Sequence, residues 1–415
     1  CVTGVQTCAL PICPITVLTP KLIDKYADVL LWGLTTSRPN PYKPGDNVLV
    51  QFDLAGLKLA ECLFAKLVDK GINVVPRLSF TSHMELDFYQ KASDGQLAFI
   101  APGTKELFEN LHGAVYVIAP DNLTHLSCID PKRIAQTAIA RKPYRDILVK
   151  REEVGDFGWT LCVYPTDEYA RCAGLTKKEF TEQVIKACHL RAKDPIAEWR
   201  TIFTESTRIK NWLNAMQAES WRVESDNVDL TVTPGEHRRF KGISGHNIPS
   251  FELFTSPDWR GTEGVYFADQ PSYRNGNLVK GVRLEFRKGE VVDVKAQEGE
   301  DFVKKQVAMD GGANKLGEFS LTDRRFSQID RFMANTLFDE NYGGEWGNCH
   351  VALGSSYSDT YDGDPATLTD ARKAELGFND SALHWDLVNT ERKRVTAKLK
   401  GGGSLVIYED GQFAV

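Results

Sequence analysis

Residues 45–75, GDNVLVQFDLAGLKLAECLFAKLVDKGINVV, decide the fold class of the first half of the chain. Two short apolar runs of strand length, 48–52 and 72–75, flank a stretch at 57–70 whose apolar residues recur at helical spacing. Gly71 follows a lysine at the end of that stretch, which is a typical helix stop because glycine readily adopts the left-handed turn. The pattern predicts a strand, a helix and a second, parallel strand.

The same alternation continues on both sides of this unit. We predict helices at 15–35, 105–112, 131–140 and 177–190, and strands at 114–118 and 159–163. Repeated units of this kind predict a mostly parallel sheet covered by helices on both faces, because right-handed crossovers place the helices there. The chain contains neither a GxGxxG nor a GxxxxGK[ST] sequence, so the dinucleotide and P-loop interpretations are weak.

The character of the sequence changes near residue 225. A tryptophan-bearing segment at 194–220 is predicted to be helical and to pack at a domain junction, and further helices are predicted at 300–309 and 328–337. Strand-like runs bounded by glycine turns dominate the rest: 228–232, 252–255, 264–267, 282–286, 291–294, 404–408 and 412–415. We therefore predict an N-terminal α/β domain over 14–225 and a β-rich C-terminal domain over 226–415.

Composition excludes several classes of function. The chain has 415 residues, 42% hydrophobic and 26% charged, with 50 basic and 56 acidic residues and a net charge of −6. The basic pairs are short and scattered, which argues against nucleic acid as a partner. No apolar run approaches the roughly 20 residues that a membrane span needs, so we expect no membrane partner.

The cysteines indicate a reducing compartment, and we expect a cytoplasmic protein. Six of the nine are widely separated and form no CxxC pair, so we interpret them as buried thiols. The other three fall within residues 1–13, which have neither the basic start nor the apolar core of a signal peptide. We interpret residues 1–13 as a non-native or artefactual leader that is foreign to the fold.

Five residues with metal-binding chemistry lie in the last 165 residues, in short segments bounded by glycine or apolar neighbours. They are Glu252, Glu318, His350, His384 and Asp386. On a strand, the spacing of His384 and Asp386 places both on one face, which suits either a metal pair or a structural hydrogen-bonded pair. His350 lies among apolar residues, so it could be a metal ligand or a core histidine. Glu252 could be a metal ligand or, equally well, an exposed residue on a half-buried strand. The set of two imidazoles and three carboxylates suits a pair of divalent ions, although no HExxH sequence is present.

Glu318 follows Gly311-Gly312-Ala313-Asn314-Lys315-Leu316-Gly317. Glycines on both sides of this segment indicate positive φ angles or close approach of backbones. We therefore expect Glu318 to be a carboxylate held in a defined loop.

The second half resembles the thermophilic-type metallo-aminopeptidases, the family of aminopeptidase T, aminopeptidase S and the PepS-type enzymes. The resemblance rests on the following segments: SFELFTSPD at 250–258, NKLGE at 314–318, NCHVALG at 348–354, SSY at 355–357 and LHWD at 383–386. It extends more loosely over 14–415, and only residues 1–13 depart from the pattern.

The resemblance implies a metal-dependent aminopeptidase, a hydrolase that releases N-terminal amino acids from peptides through a water activated by two metals. It implies the metal ligands Glu252, Glu318, His350, His384 and Asp386, with Tyr357 beside the metals. It also implies a homodimer, broad side-chain preference, and activation by zinc, cobalt or magnesium. The two imidazoles favour zinc, cobalt or manganese.

Roles for individual residues follow as expectations from the chemistry of two ions that share these five side chains. We expect Glu318 or Asp386 to bridge the ions, and Glu318 also to move the proton to the leaving amine. Tyr357 carries a donor hydroxyl that would stabilise the oxyanion, although packing against the metal ligands explains its position beside the metals equally well. Each histidine should donate its other ring nitrogen to an acceptor that the sequence does not name.

Two other functions stay open. One is a different metallohydrolase, such as an amidase acting on small non-peptide substrates, and the other is a non-catalytic peptide-binding protein stabilised by metal. An aminopeptidase must also recognise a free amine, through a metal or through a carboxylate such as Asp258 or Glu263.

Overall fold

The computed structural model describes residues 18–415, so the interpretation of residues 1–13 as a leader falls outside the described part of the chain. The described chain contains helices of four to 23 residues, in this order: α1 Pro20–Thr36, α2 Leu57–Asp69, α3 Ser82–Lys91, α4 Asp94–Leu97, α5 Thr104–Asn110, α6 Pro131–Glu153, α7 Asp167–Cys172, α8 Lys177–Ala187, α9 Pro195–Ala215, α10 Glu300–Val307, α11 Thr336–Asp339 and α12 Asp370–Glu375.

The strands become dense after residue 217. They are β1 Asn47–Phe52, β2 Asn73–Leu78, β3 Gly113–Ile118, β4 Gly158–Val163, β5 Ala218–Glu224, β6 Asp229–Thr233, β7 Asn247–Ile248, β8 Glu252–Thr255, β9 Asp258–Ala268, β10 Ser272–Arg274, β11 Asn277–Val279, β12 Val282–Arg287, β13 Glu290–Lys295, β14 Leu316–Thr322, β15 Asn348–Gly354, β16 His384–Asn389, β17 Arg394–Leu399, β18 Ser404–Glu409 and β19 Gln412–Phe413.

The first half forms the parallel sheet that the sequence predicts. Its strand order is β2-β1-β3-β4-β7, and every pairing in it is parallel. Alternate residues of β1 face opposite sides: Val48 and Val50 pack into the large core shared with α1 and α2, whereas Leu49 packs into a smaller core with Leu148 of α6. The prediction of helices on both faces is confirmed.

The second half is built from antiparallel sheets. An eight-stranded sheet has the order β13-β12-β9-β6-β5-β17-β18-β19, and a four-stranded sheet has the order β16-β15-β14-β8. They pack through a common core in which Trp221 of β5 stacks on Phe319 of β14 with ring centroids 5.7 Å apart. The mixed fold class is confirmed. The division at residue 225 stays a prediction, and β7, from beyond that point, joins the parallel sheet by pairing with β4.

Helix α9 connects the two cores. Near its start, Trp199 is fully buried and stacks on Phe251 with ring centroids 5.3 Å apart. Near its end, Ile209 and Leu213 lie in the core between the antiparallel sheets. Phe251 directly precedes β8, so the helix contacts the segment that leads to Glu252.

The predicted helix at 328–337 is wrong. Only α11 is helical there, because the Asp339 carboxylate accepts hydrogen bonds from the backbone nitrogens of Met333 and Asn335, at 2.7 and 2.9 Å. Ala334 between them has a φ of 52°, which no α-helix contains. Ser327 donates to the Asn341 carbonyl. A local carboxylate network therefore outcompetes the helical pattern in this segment.

Two other helix boundaries differ from the prediction. The segment predicted helical to residue 220 leaves the helix at Ala215, and β5 begins at Ala218, where it pairs with β17. Helix α6 instead runs 13 residues beyond its predicted end at 140, through Pro143.

The cysteine interpretation is partly wrong. Cys162, Cys188 and Cys349 are buried, but Cys128 is exposed and Cys62 and Cys172 are half-buried; all six are free thiols. Among residues 18–415, every helix is too short or too polar to cross a bilayer.

Candidate metal centre

The four-stranded sheet brings all five predicted ligands onto one face. Each strand of this sheet carries one or two of the ligands: Glu252 lies on β8, Glu318 on β14, His350 on β15, and His384 and Asp386 on β16. The register places Glu318 opposite Ala352, and Ala352 opposite Asp386. Because side chains alternate along a strand, the intervening residues, such as Phe319 and Trp385, turn to the hydrophobic core. One face of the sheet is therefore apolar and the other carries the acids and imidazoles.

The side chains converge on His350. Its Nε2 lies 3.1 Å from Glu318 Oε1, 3.2 Å from Glu252 Oε2 and 4.0 Å from Asp386 Oδ1. His384 Nε2 lies 3.4 Å from Asp386 Oδ1 and 3.9 Å from Glu318 Oε2. Glu252, Glu318 and His350 each offer a ligand atom within 4.8 Å of the other two, and all three are buried. Glu318 lies in contact with both imidazoles, so it is the central carboxylate.

Glu318 lies in strand β14, so the expectation of a loop position is wrong. The strand is irregular just before it, with a register shift between Leu316 and Glu318. A Cβ on Gly317 would lie 2.3 Å from the carbonyl oxygen of Gly354, which no side chain tolerates. The expected close approach of backbones is therefore present, and it places β14 against the end of β15.

The charges of the cluster are strongly coupled. Burial raises the pKa of Glu318 to about 7, and the nearby Glu252 carboxylate adds to this effect. Burial opposes charge on His384 as well, but the Asp386 carboxylate prevails and raises the pKa of His384 to about 9. The same pairing lowers the pKa of Asp386 to about 2 against the effect of its burial. Without another cation, the cluster balances its acids with protons on its imidazoles.

The two imidazoles have different outer contacts. His384 Nδ1 lies 2.9 Å from the Ser355 carbonyl, which can only accept, so Nδ1 carries the proton and Nε2 faces the carboxylates. His350 Nδ1 is buried and has no hydrogen-bond partner among residues 18–415. The expected outer acceptor is therefore present for His384 alone. Glu252 is held from outside by the Ser320 hydroxyl, which donates to its Oε2 at 3.0 Å.

Tyr357 lies at the rim of the cluster. Its ring packs on His384 with centroids 4.8 Å apart and on Phe254 at 6.0 Å, while 45% of the residue remains exposed. Desolvation raises the pKa of its hydroxyl well above the usual value, and the charges of Glu318 and Asp386 raise it further. The hydroxyl therefore keeps its proton and can donate a hydrogen bond beside the carboxylates.

Two residues that lie beside the cluster, Glu340 and Arg274, were not indicated by the sequence. Glu340 is buried, and its pKa is raised well above the usual value by burial and by the charges of Glu252 and Asp386. It follows α11, where the helix prediction was wrong, and no motif marked it. Arg274 of β10 donates from Nη1 to the His384 carbonyl at 2.8 Å, and its charge favours the ionised form of Asp386. Only the fold brings Arg274 to β16.

The two carboxylates suggested for amine recognition lie in other interactions. Asp258 forms an ion pair with Arg260, Oδ2 to Nη2 at 2.7 Å. Glu263 accepts a hydrogen bond from the backbone nitrogen of Lys288 at 2.6 Å. Within residues 18–415, no hydrogen bond or ion pair joins either of them to the five clustered residues.

The residues present fit divalent ions. Three carboxylates packed together in a buried space repel one another and need compensating positive charge. Carboxylate oxygens and imidazole nitrogens are the donors that zinc and related divalent ions take. Carboxylate oxygens of Glu318 and Glu252 lie around Nε2 of His350, so the atoms that could hold an ion are already close together.

A set of acids and imidazoles on one face of an antiparallel sheet, joined to a parallel α/β sheet, indicates a metal-binding protein of mixed α/β fold. The comparison of sequences makes this class more specific, because residues 19–413 match the thermophilic metalloprotease (M29) family. The chain belongs to that family.

Relatives in this family carry aminopeptidase names. Aminopeptidase AmpS of Bacillus subtilis (strain 168) is 29% identical over 76% of this chain and 79% of its own length. Aminopeptidase T of Thermus aquaticus is 26% identical over 70% of this chain and 74% of its own. The solved structure of wild-type AmpT from Thermus thermophilus superposes with a TM-score of 0.79, at 21% identity, over 96% of this chain and 100% of that chain. At that identity the superposition shows a shared fold.

Proposed function

We propose that this protein is a metal-dependent aminopeptidase that removes N-terminal residues from peptides. The observation that carries the proposal is the convergence of Glu252, Glu318, His350, His384 and Asp386 on one sheet face in a chain of the metalloprotease family. These five residues are the proposed ligands of two divalent ions. The aminopeptidase names of the relatives support the choice of substrate.

Bound divalent ions supply the chemistry that a peptide bond needs, because they polarise its carbonyl and lower the pKa of a water. The protein contributes the remaining steps. Glu318, the carboxylate that lies in contact with both imidazoles, is the proposed group that receives a proton and delivers it to the leaving amine. Tyr357 keeps its proton and is the proposed donor to the oxyanion of the tetrahedral intermediate.

Other parts of the site organise these groups. The Ser355 carbonyl holds the His384 ring in one tautomer, and the Ser320 hydroxyl holds one oxygen of Glu252. The Phe254 and His384 rings hold Tyr357 at the rim. Such outer contacts keep reactive groups within the narrow geometry that catalysis needs.

The proposal includes the metal, the assembly and the compartment. Zinc or cobalt suits two imidazoles better than magnesium does, and manganese is an intermediate choice. The family resemblance supports a homodimer. The six free cysteines of the described chain support a reducing, cytoplasmic setting.

The decisive experiment removes the metal and restores it. The protein is treated with EDTA, dialysed and assayed with zinc, cobalt, manganese or magnesium against matched peptides that carry a free or an acetylated N-terminus. We expect the chelator to abolish hydrolysis, metal to restore it, and only the free-amine peptides to be cleaved.

Each failure would identify a different function. Activity that survives metal removal excludes the metal-dependent proposal. Cleavage of acetylated substrates at equal rates indicates a general amidase. Tight peptide binding without turnover under every metal indicates a peptide-binding protein.

A further inference from the structure

A small recess adjoins the metal centre on the side of Asp386. It has a volume of about 20 Å³ and lies between strand β16 and two other segments. Asp386 and Val388 line it from β16, Gln270 and Ser272 line it from the connection into β10, and Asn335 and Asp339 line it from the α11 region. A space of this size holds a single group the size of one water molecule.

The recess contains hydrogen-bond acceptors that the protein does not satisfy. The side-chain oxygens of Gln270 and Asn335 are fully buried, and neither accepts a hydrogen bond from any residue of 18–415. The amide nitrogen of Asn335 donates to the Tyr169 hydroxyl at 2.8 Å, which commits the nitrogen and leaves the oxygen without a partner. Buried acceptors without donors destabilise a fold, so a guest that donates hydrogen bonds is favoured in this space.

Two other polar side chains of the recess are already engaged. Both oxygens of Asp339 accept backbone hydrogen bonds, from Met333 and Asn335. The Ser272 hydroxyl accepts the Trp385 indole N–H at 3.1 Å. The two amide oxygens are therefore buried acceptors that stay open to a guest, Tyr273 and Thr336 also line the space, and Asp386 lines the side that faces the metal centre.

These features select the chemistry of the guest. A guest that fits has one heavy atom and several hydrogen-bond donors, as a primary ammonium group does. We propose that the recess binds the α-ammonium group of the substrate, with Gln270 and Asn335 as the acceptors. This inference rests on the proposed aminopeptidase function and replaces Asp258 and Glu263 as the groups that recognise the free amine.

The backbone around the recess is well placed for this role. The backbone nitrogen of Gln270 donates to the carbonyl of Val388 at 3.3 Å, so the glutamine is fixed to the strand that carries His384 and Asp386. A guest in the recess thus lies at a fixed position relative to the proposed ligands. An acetyl group adds three heavy atoms to the nitrogen, which exceeds this space, so blocked N-termini would be rejected by size.

The test uses two small probes that divide leucine into its parts. One is 3-methylbutylamine, which keeps the amine, and the other is 4-methylpentanoate, which lacks it. Binding to the metal-loaded protein is measured by ligand-detected NMR, which needs no turnover, for wild type, Gln270→Met and Asn335→Leu. Gln270→Glu restores an oxygen acceptor, and Gln90→Met at an exposed position is the matched control.

We expect each of the two apolar variants to weaken amine binding by about tenfold while the affinity for 4-methylpentanoate changes by less than about twofold. Gln270→Glu and Gln90→Met should bind the amine at least as tightly as wild type. In Gln270→Met and Asn335→Leu, KM for free-amine peptides should rise while the metal content stays at the wild-type value.

Unchanged amine affinity in both apolar variants would overturn the inference and leave the recess a site for water. Equal losses for both probes, or loss of metal, would also overturn it, since the residues would then act through the metal centre. Melting temperatures distinguish these outcomes from misfolding, and Gln270→Glu tests the same position with little change in volume. A wild type that binds the amine without cleaving peptides would contradict the proposed function alone.

Discussion

At the scale of residues, the site depends on a few carboxylates that the protein keeps close together against their mutual repulsion. Glu318 is the clearest case, because it contacts both imidazoles and lies beside the buried Glu252. Such an arrangement is stable only when positive charge compensates it, from imidazolium protons or from divalent ions. We therefore expect the charge of Glu318 to govern both metal binding and chemistry.

Glu318→Gln tests this role, because the amide keeps the size of the side chain and removes its charge. We expect a folded protein whose metal content falls and whose kcat/KM for aminoacyl-p-nitroanilides falls by at least about 10³-fold, as for loss of a group that acts in the transition state. The measurements are elemental analysis after dialysis and steady-state kinetics. Glu263→Gln, a carboxylate outside the cluster, is the control, and near-normal turnover in Glu318→Gln would contradict the assignment.

At the scale of elements, the four-stranded sheet positions the side chains of the candidate metal centre. Its apolar face, with Phe319 and Trp385, is fixed in the core, so the opposite face is fixed as well. The bulge before Glu318 adjusts where that carboxylate lies, and Gly317 makes the bulge compatible with the neighbouring backbone. A small shift of that backbone should therefore change the position of the proposed ligand side chains.

Gly317→Ala tests the bulge. The new methyl group would lie 2.3 Å from the carbonyl oxygen of Gly354, so β14 must shift relative to the end of β15 and move Glu318 with it. We expect metal affinity to fall by about tenfold or more, because displaced ligands lose much of their coordination. Competition with a chromogenic chelator measures the affinity. Gly401→Ala, where a Cβ meets no atom within 4 Å, should leave it unchanged. Equal affinities in the two variants would show that the bulge does not position the ligand.

At the scale of the whole molecule, the parallel sheet and the antiparallel sheets share one helix. Helix α9 places Trp199 in the first core and Leu213 in the second. Trp199 also stacks on Phe251, the residue before Glu252. The stability of the first core and the position of one proposed ligand are therefore linked through the contact of Trp199 with Phe251.

Trp199→Ala tests that link. Removing a fully buried tryptophan leaves a cavity, and we expect it to lower the free energy of unfolding by about 3–5 kcal/mol and to weaken metal binding through Phe251. Trp199→Phe keeps an aromatic ring on Phe251 and removes an indole N–H that has no partner among residues 18–415. Trp199→Phe should therefore lower the free energy of unfolding markedly less than Trp199→Ala does. The readouts are denaturant unfolding and metal affinity, and equal effects of the two substitutions would argue against the stacking contact.

The sequence alone determined the fold class and the kind of site. Period-2 and period-3.6 patterns follow from the geometry of strands and helices, so the β1-α2-β2 unit and the hairpin of β18 and β19 were predictable. The residue types of the proposed ligands already indicate metal-binding chemistry. Each ligand lies in a short contiguous segment, so the family resemblance can be seen in the sequence.

Only the tertiary structure decided which further residues join the site. The predicted helix at 328–337 failed because the side chain of Asp339 binds two backbone nitrogens, a competition that apolar spacing does not report. Glu340 and Arg274 lie beside the metal centre, and Gln270 and Asn335 line the recess next to Asp386; all four come from separate segments of the chain. Their proximity depends on sheet register and long-range packing, which a linear pattern does not contain.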